Sequence, residues 1–345
     1  MVDWNLSGQV ARLAAGSEEP VDLGLNLARV CAELEQPLAD YTRLEPARPL
    51  PAPELVGRAA WAEINLDSLR PLLDPVAARL DGGLERTGPL AGLLKAGAGA
   101  ALGAESGLVL GYVARRVLGQ YELSLLGADT PPRLLLVAPN LDRAAAQLAV
   151  DRDSFLTWVC AHELTHVFQF QGVTWLREHL GGLLRRYLET VDVEVGSGGL
   201  SLLSNPGKLV ESFREGGLAA LIQTREQQVL LDELQAAMAV IEGYAEHVMD
   251  VLGEQLLPAH AELRAALDRR RASRSAPERV LERLLGFDLK LRQYELGKRF
   301  CDGVVEQAGI DGLNRVWAAP LSLPTLAELD EPTLWLARTA PPAAA

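Results

Sequence analysis

Five histidines are scattered through 345 residues, and two of them stand in the string His162-Glu163-Leu164-Thr165-His166. On an α-helix, residues four apart lie about 40° from eclipsed on one face. Two imidazoles at that spacing can ligate one metal ion, and Glu163, one step round, can reach water bound to it. Two ligands and a base in this order point to zinc-dependent hydrolysis, provided that the string is helical. Its surroundings predict a helix. Asp153 and Ser154 are N-cap candidates, Phe155, Val159, Cys160, Leu164 and Val167 supply an apolar face through Phe170, and Gly172 is a stop signal. A core-packed helix takes its histidines out of water, where they need partners. Two hydrogen-bonded core histidines would account for the rings but leave Glu163 without a role.

A catalytic zinc takes three protein ligands and keeps one open position. A third histidine of the metzincin kind is excluded, because Gln169 stands where that motif has glycine and Gly172 where it has histidine. The segment from Gln227 to Leu257 is the better source. Leu231, Leu234, Met238, Ile241, Ala245, Val248 and Leu252 recur there at alternating three and four, which marks a core-facing helix. Glu242, Glu246 and Asp250 stand beside that stripe at intervals of four. Like charges so placed repel by about 0.2 to 0.5 kcal/mol when exposed, and more beside a buried seam. A cation removes the conflict: Glu242 as ligand and Glu246 as acceptor from a ligating imidazole would use both carboxylates. The competing reading is a solvated acidic face.

HELTH paired with the downstream Glu-Gly-Tyr-Ala-Glu-His at 242 to 247 resembles the gluzincin arrangement. The stretches WAEINL (61 to 66), LGYVARRVLGQYEL (110 to 123), LLLVAPNL (134 to 141), AHELTHVFQF (161 to 170) and IEGYAEHVMD (241 to 250) further resemble a bacterial family called zincin-like metallopeptidase. Some of its members carry a label of association with coenzyme F420 biosynthesis, which implies genomic association rather than chemistry. The resemblance implies His162, His166 and Glu242 as zinc ligands, Glu163 as general base and Glu246 as the acceptor that orients a histidine. Tyr244, His247 and His179 are candidates for a donor to the developing oxyanion. His247, one residue past Glu246, is equally readable as a surface histidine.

The run Arg133 to Val137, closed by Pro139 and Asn140, predicts a strand, and Tyr121 to Leu126 could pair with it as a hairpin. As an edge strand it would hold an extended substrate by backbone pairing; as an ordinary core hairpin it would not. From Ala96 to Ala114 one charge, Glu105, accompanies Gly99, Gly103, Gly107 and Gly111 at every fourth position. Small residues at that spacing let helices approach closely, inside a soluble core or in lipid. The composition, poor in Leu, Ile and Phe, favours the core.

Elsewhere the pattern is helical: around Val10 to Ala15, Leu23 to Glu35, Leu66 to Leu80 with interruptions at Pro71 and Pro75, and Trp175 to Val193. A Pro-rich link at 46 to 53, a Gly/Ser loop at 196 to 207 and a basic link from Arg269 to Arg274 separate them. A net charge of −13 argues against nucleic acid and anionic membranes as partners. Three dispersed cysteines and no basic-then-apolar leader favour a cytoplasmic protein. The expectation is therefore a predominantly helical α+β zincin-like fold with a small sheet or hairpin. An N-terminal helical region at 1–118 and a metal-binding region at 119–338 would pack as one compact body, with a disordered tail at 339–345. The function read from it is hydrolysis of a peptide or other amide substrate with Zn2+; the alternative is an inactive zincin-like scaffold that binds a partner or small molecule in its cleft.

Overall fold

Asp151 opens the motif helix, two residues ahead of the predicted caps: its carboxylate accepts the Ser154 backbone N–H at 2.7 Å. This computed structural model of the protein describes residues 2–16, 21–84, 91–125, 131–190, 224–272 and 287–340. The predicted loop at 196 to 207 and the last five residues of the tail lie outside the described residues. The basic link expected from Arg269 to Arg274 is corrected: residues 269–272 are the last turn of a helix that begins at His260, since arginine is a good helix former, and 273 and 274 lie outside the described residues. In chain order the elements are α1 (Trp4–Ala15), α2 (Leu27–Thr42), β1 (Pro53–Val56), α3 (Arg58–Leu84), α4 (Ala91–Ala114), β2 (Gly119–Glu122), β3 (Arg133–Val137), α5 (Ala138–Leu148), α6 (Arg152–Gly172), α7 (Leu176–Thr190), α8 (Arg225–Leu256), α9 (His260–Ala272), α10 (Phe287–Leu313), α11 (Leu326–Asp330) and α12 (Pro332–Arg338). Short 3-10 turns at Asn314–Trp317 and Pro320–Ser322 precede α11. This is a predominantly α-helical α+β fold, with one three-stranded sheet among the described residues.

The chain divides into two compact units, each assembled from separated stretches. The first comprises residues 1–24, 54–144 and 185–227. Its core holds Ala11 and Ala15 of α1, Trp61, Ala62 and Leu66 of α3, Leu110 and Ala114 of α4, and Leu135 and Val137 of β3. The glycine stripe of α4 is where α1 comes close. A Cβ at Gly103, Gly107 or Gly111 would overlap the backbone of Asp3, Ser7 or Ala11, and Ser7 Oγ donates to the Gly103 carbonyl at 2.6 Å. Among the described residues no helix is long and apolar enough to cross a membrane.

Two expectations are corrected in this unit. Helix α3 runs through Pro71 and Pro75 without interruption. Each proline forfeits one ladder bond but has a φ that suits the helix, and contacts with α1 and α4 hold it in place. Strand β3 is central, not an edge: the order is β1-β3-β2, with β2 antiparallel to it in the register Gly119↔Leu136 and Glu122↔Arg133. Both of its sides are already paired, so it offers no backbone to an extended substrate. Arg133 grips Glu54 through Nε at 3.0 Å and Nη2 at 2.5 Å, fixing β1 against β3.

The second unit comprises residues 25–53, 145–184 and 228–345. Helix α6 is buried around most of its circumference, as is α8 from Ala239 to Met249. A helix buried on all sides carries its polar residues into the interior, where each must find a partner. Helices α8 and α10 touch backbone to backbone: a Cβ at Gly243 would lie 2.6 Å from Gly297 Cα and closer still to its carbonyl.

Candidate metal centre

Within the second unit, α6 and α8 bring His162, His166 and Glu242 together, with one ligand atom from each lying within 4.8 Å of the others. The two Nε2 atoms are 3.2 Å apart, and Glu242 Oε2 is 3.5 Å from that of His166 and 3.8 Å from that of His162. Two ligand atoms at 2.0 to 2.1 Å from a tetrahedral zinc ion are separated by about 3.3 Å. The donor set therefore fits zinc both in kind and in spacing.

Local structure explains why these rings are held. Thr165, mid-helix, satisfies its hydroxyl on the Ala161 carbonyl at 2.8 Å and leaves the helix intact. Trp158, one turn before His162, stacks on its ring with centroids 6.1 Å apart. His166 Nδ1 lies 2.8 Å from Gln169 Oε1, and Gln169 Nε2 donates to the Ile241 carbonyl at 2.9 Å. Burial alone would lower the pKa of His166. Hydrogen bonding and charge attraction to Glu242, the nearby charge of Glu163 and the Gln169 contact overcome it and raise the value to about 9. The centre is thus built to favour positive charge. Glu163 is buried next to it, which suits a group that acts on something bound there.

The other site residues named from the sequence are placed elsewhere. Glu246, 2% exposed, receives Arg264 Nη1 at 2.8 Å. The acceptor on the His166 ring is Gln169, a residue whose only earlier signal was that it was not glycine. Tyr244 and His247 are turned to other faces of α8. The Tyr244 hydroxyl donates to Asn314 Oδ1 at 2.9 Å and its ring packs edge-on against Trp317. Both nitrogens of His247 are taken, Nδ1 by Asp302 at 2.7 Å and Nε2 by the Tyr41 hydroxyl at 2.6 Å. Burial first, then the charge of Asp302, pushes the Tyr41 phenol up to about 12. Neither Tyr244 nor His247 is therefore positioned to donate to a group bound at the trio, because each polar atom is committed to another side chain. His179 packs edge-on against Trp175, and burial lowers its pKa.

Around His247 runs a second charged network. Lys298 bridges Asp302 at 2.5 Å and Asp250 at 2.9 Å, and Arg264 joins Asp250 at 3.0 Å to Glu246. The three acidic residues beside the apolar stripe of α8 are thus divided by facing: Glu242 turns to the histidines, whereas Glu246 and Asp250 turn to the cations of α9 and α10.

A crystal structure from Chloroflexus aurantiacus, named as a "putative hydrolase with a novel fold", matches this chain with a TM-score of 0.71 and 30% identity, covering 99% of this chain and 100% of its own. No curated protein matches. The model of one family, zincin-like metallopeptidase, matches residues 2–336. With HELTH and its downstream glutamate folded onto one point and that model spanning nearly all of its length, the chain belongs to the zincin-like metallopeptidase family.

Proposed function

We propose that this protein is a zinc-dependent hydrolase that cleaves a peptide or another amide bond. The observation that carries the reading is the convergence of two imidazole nitrogens and one carboxylate oxygen, from helices far apart in sequence, at the mutual spacing that zinc requires. Family membership and the hydrolase named above support it. Zinc held by His162, His166 and Glu242 would supply a Lewis acid and a water acidified towards pH 7. Glu163, on the same helix as both histidines, takes the proton of the attacking water as general base and returns it to the leaving amine. Burial around Glu163 excludes competing solvent and strengthens its interaction with the developing charge.

Metal analysis of the purified protein beside His162→Ala and Glu242→Ala tests the ligands: one equivalent of zinc in the wild type and its loss in both variants are expected. Glu163→Gln is expected to keep the metal and lose hydrolysis of a peptide library. Unchanged turnover would remove Glu163 as the base, and full zinc retention in the Glu242 variant would remove that residue as a ligand.

A further inference from the structure

Gln169 is fully buried, three residues beyond His166, and both ends of its amide are used. The Ile241 carbonyl can only accept, so the amide NH2 group must face it and the amide oxygen must face His166. An oxygen acceptor at Nδ1 requires the ring proton there and leaves Nε2 of the neutral ring as a bare lone pair. That lone pair is aimed at the point shared by His162 Nε2 and Glu242 Oε2. Ile241 is the residue before Glu242, so the side chain that sets the proton on His166 also ties α6 to the turn of α8 that carries the third donor.

We propose that Gln169 is a positioning residue of the metal centre: it holds His166 as the Nδ1–H tautomer with Nε2 turned to the ion, and it sets the spacing between the donors of the two helices. The inference rests on the trio binding a metal. It also explains an amide where a carboxylate is the commoner acceptor. Glu163 and Glu242 already bring two negative charges into this core, which one divalent ion balances, and a third carboxylate would leave a buried charge uncompensated. A neutral acceptor orients the ring without that cost.

The test uses full-length protein, stripped of metal, as wild type, Gln169→Met and Gln169→Glu. Zinc affinity is read by chelator competition, the coordination sphere by the visible spectrum of the cobalt(II) form, and the fold by circular dichroism. The methionine variant fills the same space without hydrogen bonds and is expected to bind zinc at least about tenfold more weakly, with an altered cobalt spectrum. The glutamate variant keeps an acceptor at Nδ1 but loses the donor to the Ile241 carbonyl, so it is expected to weaken zinc less than the methionine variant does and to keep the wild-type cobalt spectrum. Wild-type affinity and an unchanged cobalt spectrum in the methionine variant would overturn the proposal. So would equal weakening in both variants, since that assigns Gln169 to bracing α6 against α8 alone. Should either variant fail to fold, the nitrogen-15 spectrum of the zinc-loaded wild type decides, because an unprotonated Nδ1 on His166 contradicts the tautomer. Failure of the wild type to take up zinc or cobalt would remove the hydrolase reading together with this one, whereas wild-type binding that the methionine variant leaves unmoved removes this one only.

Discussion

Alanine at position 243 sets two effects of opposite sign against each other. In the interior of a helix, Gly→Ala ordinarily stabilises by about 1 kcal/mol, because glycine loses the most backbone freedom on folding. Gly243 lies deep within α8, yet an added Cβ would sit 2.6 Å from Gly297 Cα and nearer to its carbonyl. Non-bonded carbons rest at about 3.5 to 4.0 Å, so the helices would have to part by roughly an ångström. The obstructing atoms are backbone and cannot swing aside. Overpacking of this kind costs about 1 to 3 kcal/mol, and the rigid neighbour places it at the upper end. The net expectation for Gly243→Ala is destabilisation by about 2 kcal/mol. Gly182 in α7 is the control, since nothing lies within 4 Å of its added Cβ; there the same substitution is expected to stabilise by up to about 1 kcal/mol. Urea unfolding followed by circular dichroism reads both, with the midpoint falling for one and rising for the other. Zinc affinity should fall with the first, because Glu242 is the adjoining residue. A Gly243→Ala protein as stable as wild type would refute the backbone contact between α8 and α10.

Three further outcomes are expected. Arg264→Met removes the guanidinium 2.8 Å from Glu246, whose side chain is 3% exposed, and should destabilise by about 3 kcal/mol, partly recovered in the double variant with Glu246→Gln; a urea midpoint at the wild-type value would contradict it. The hydrogen bonds and charge of Arg338 hold the Glu328 carboxyl below its ordinary 4.5. The stability it contributes is present above the unfolded value and is lost as pH falls through the folded one, so Arg338→Met should flatten the stability curve below pH 4.5 by at most about 1.4 kcal/mol per pH unit, measured by urea melts across that range. Chelation of the metal should lower the melting temperature, since free zinc at a hundred times its dissociation constant stabilises by about 2.7 kcal/mol; a melt indifferent to chelator would count against binding at the trio.

The metal centre was legible to the extent that helical periodicity encodes it. The interval from His162 to His166 places both rings on one face wherever the helix goes, and the three-four repeat from Leu231 to Leu252 announces a core helix with acidic residues beside its stripe. Helix α6 was anticipated to within its cap and α8 to within two residues at either end. The hairpin was anticipated as well, although β2 starts two residues and ends four residues before the expected Tyr121 to Leu126.

Periodicity says which residues share a face but not what that face meets. The spacing of Glu242, Glu246 and Asp250 beside one stripe could not say that Glu242 alone of the three turns to the histidines, because Arg264 and Lys298, which claim Glu246 and Asp250, come from helices that arrive only through long-range packing. Gln169 gained its place in the same way: its amide bridges a ring on its own helix and a carbonyl 72 residues away. Strand β3 reads locally as any apolar strand, and whether it lies at an edge depended on β1, contributed by a stretch nearly 80 residues earlier. The glycines of α4 state that something comes close; α1 is what came. The sequence by itself therefore determined the motif helix α6, its partner α8, an apolar face on each and the donor types for a metal, since these follow from the fixed geometry of a single helix. Tertiary structure alone decided which donors converge and which neighbour fixes each ring, since a buried polar atom takes whatever partner packing brings within hydrogen-bond reach.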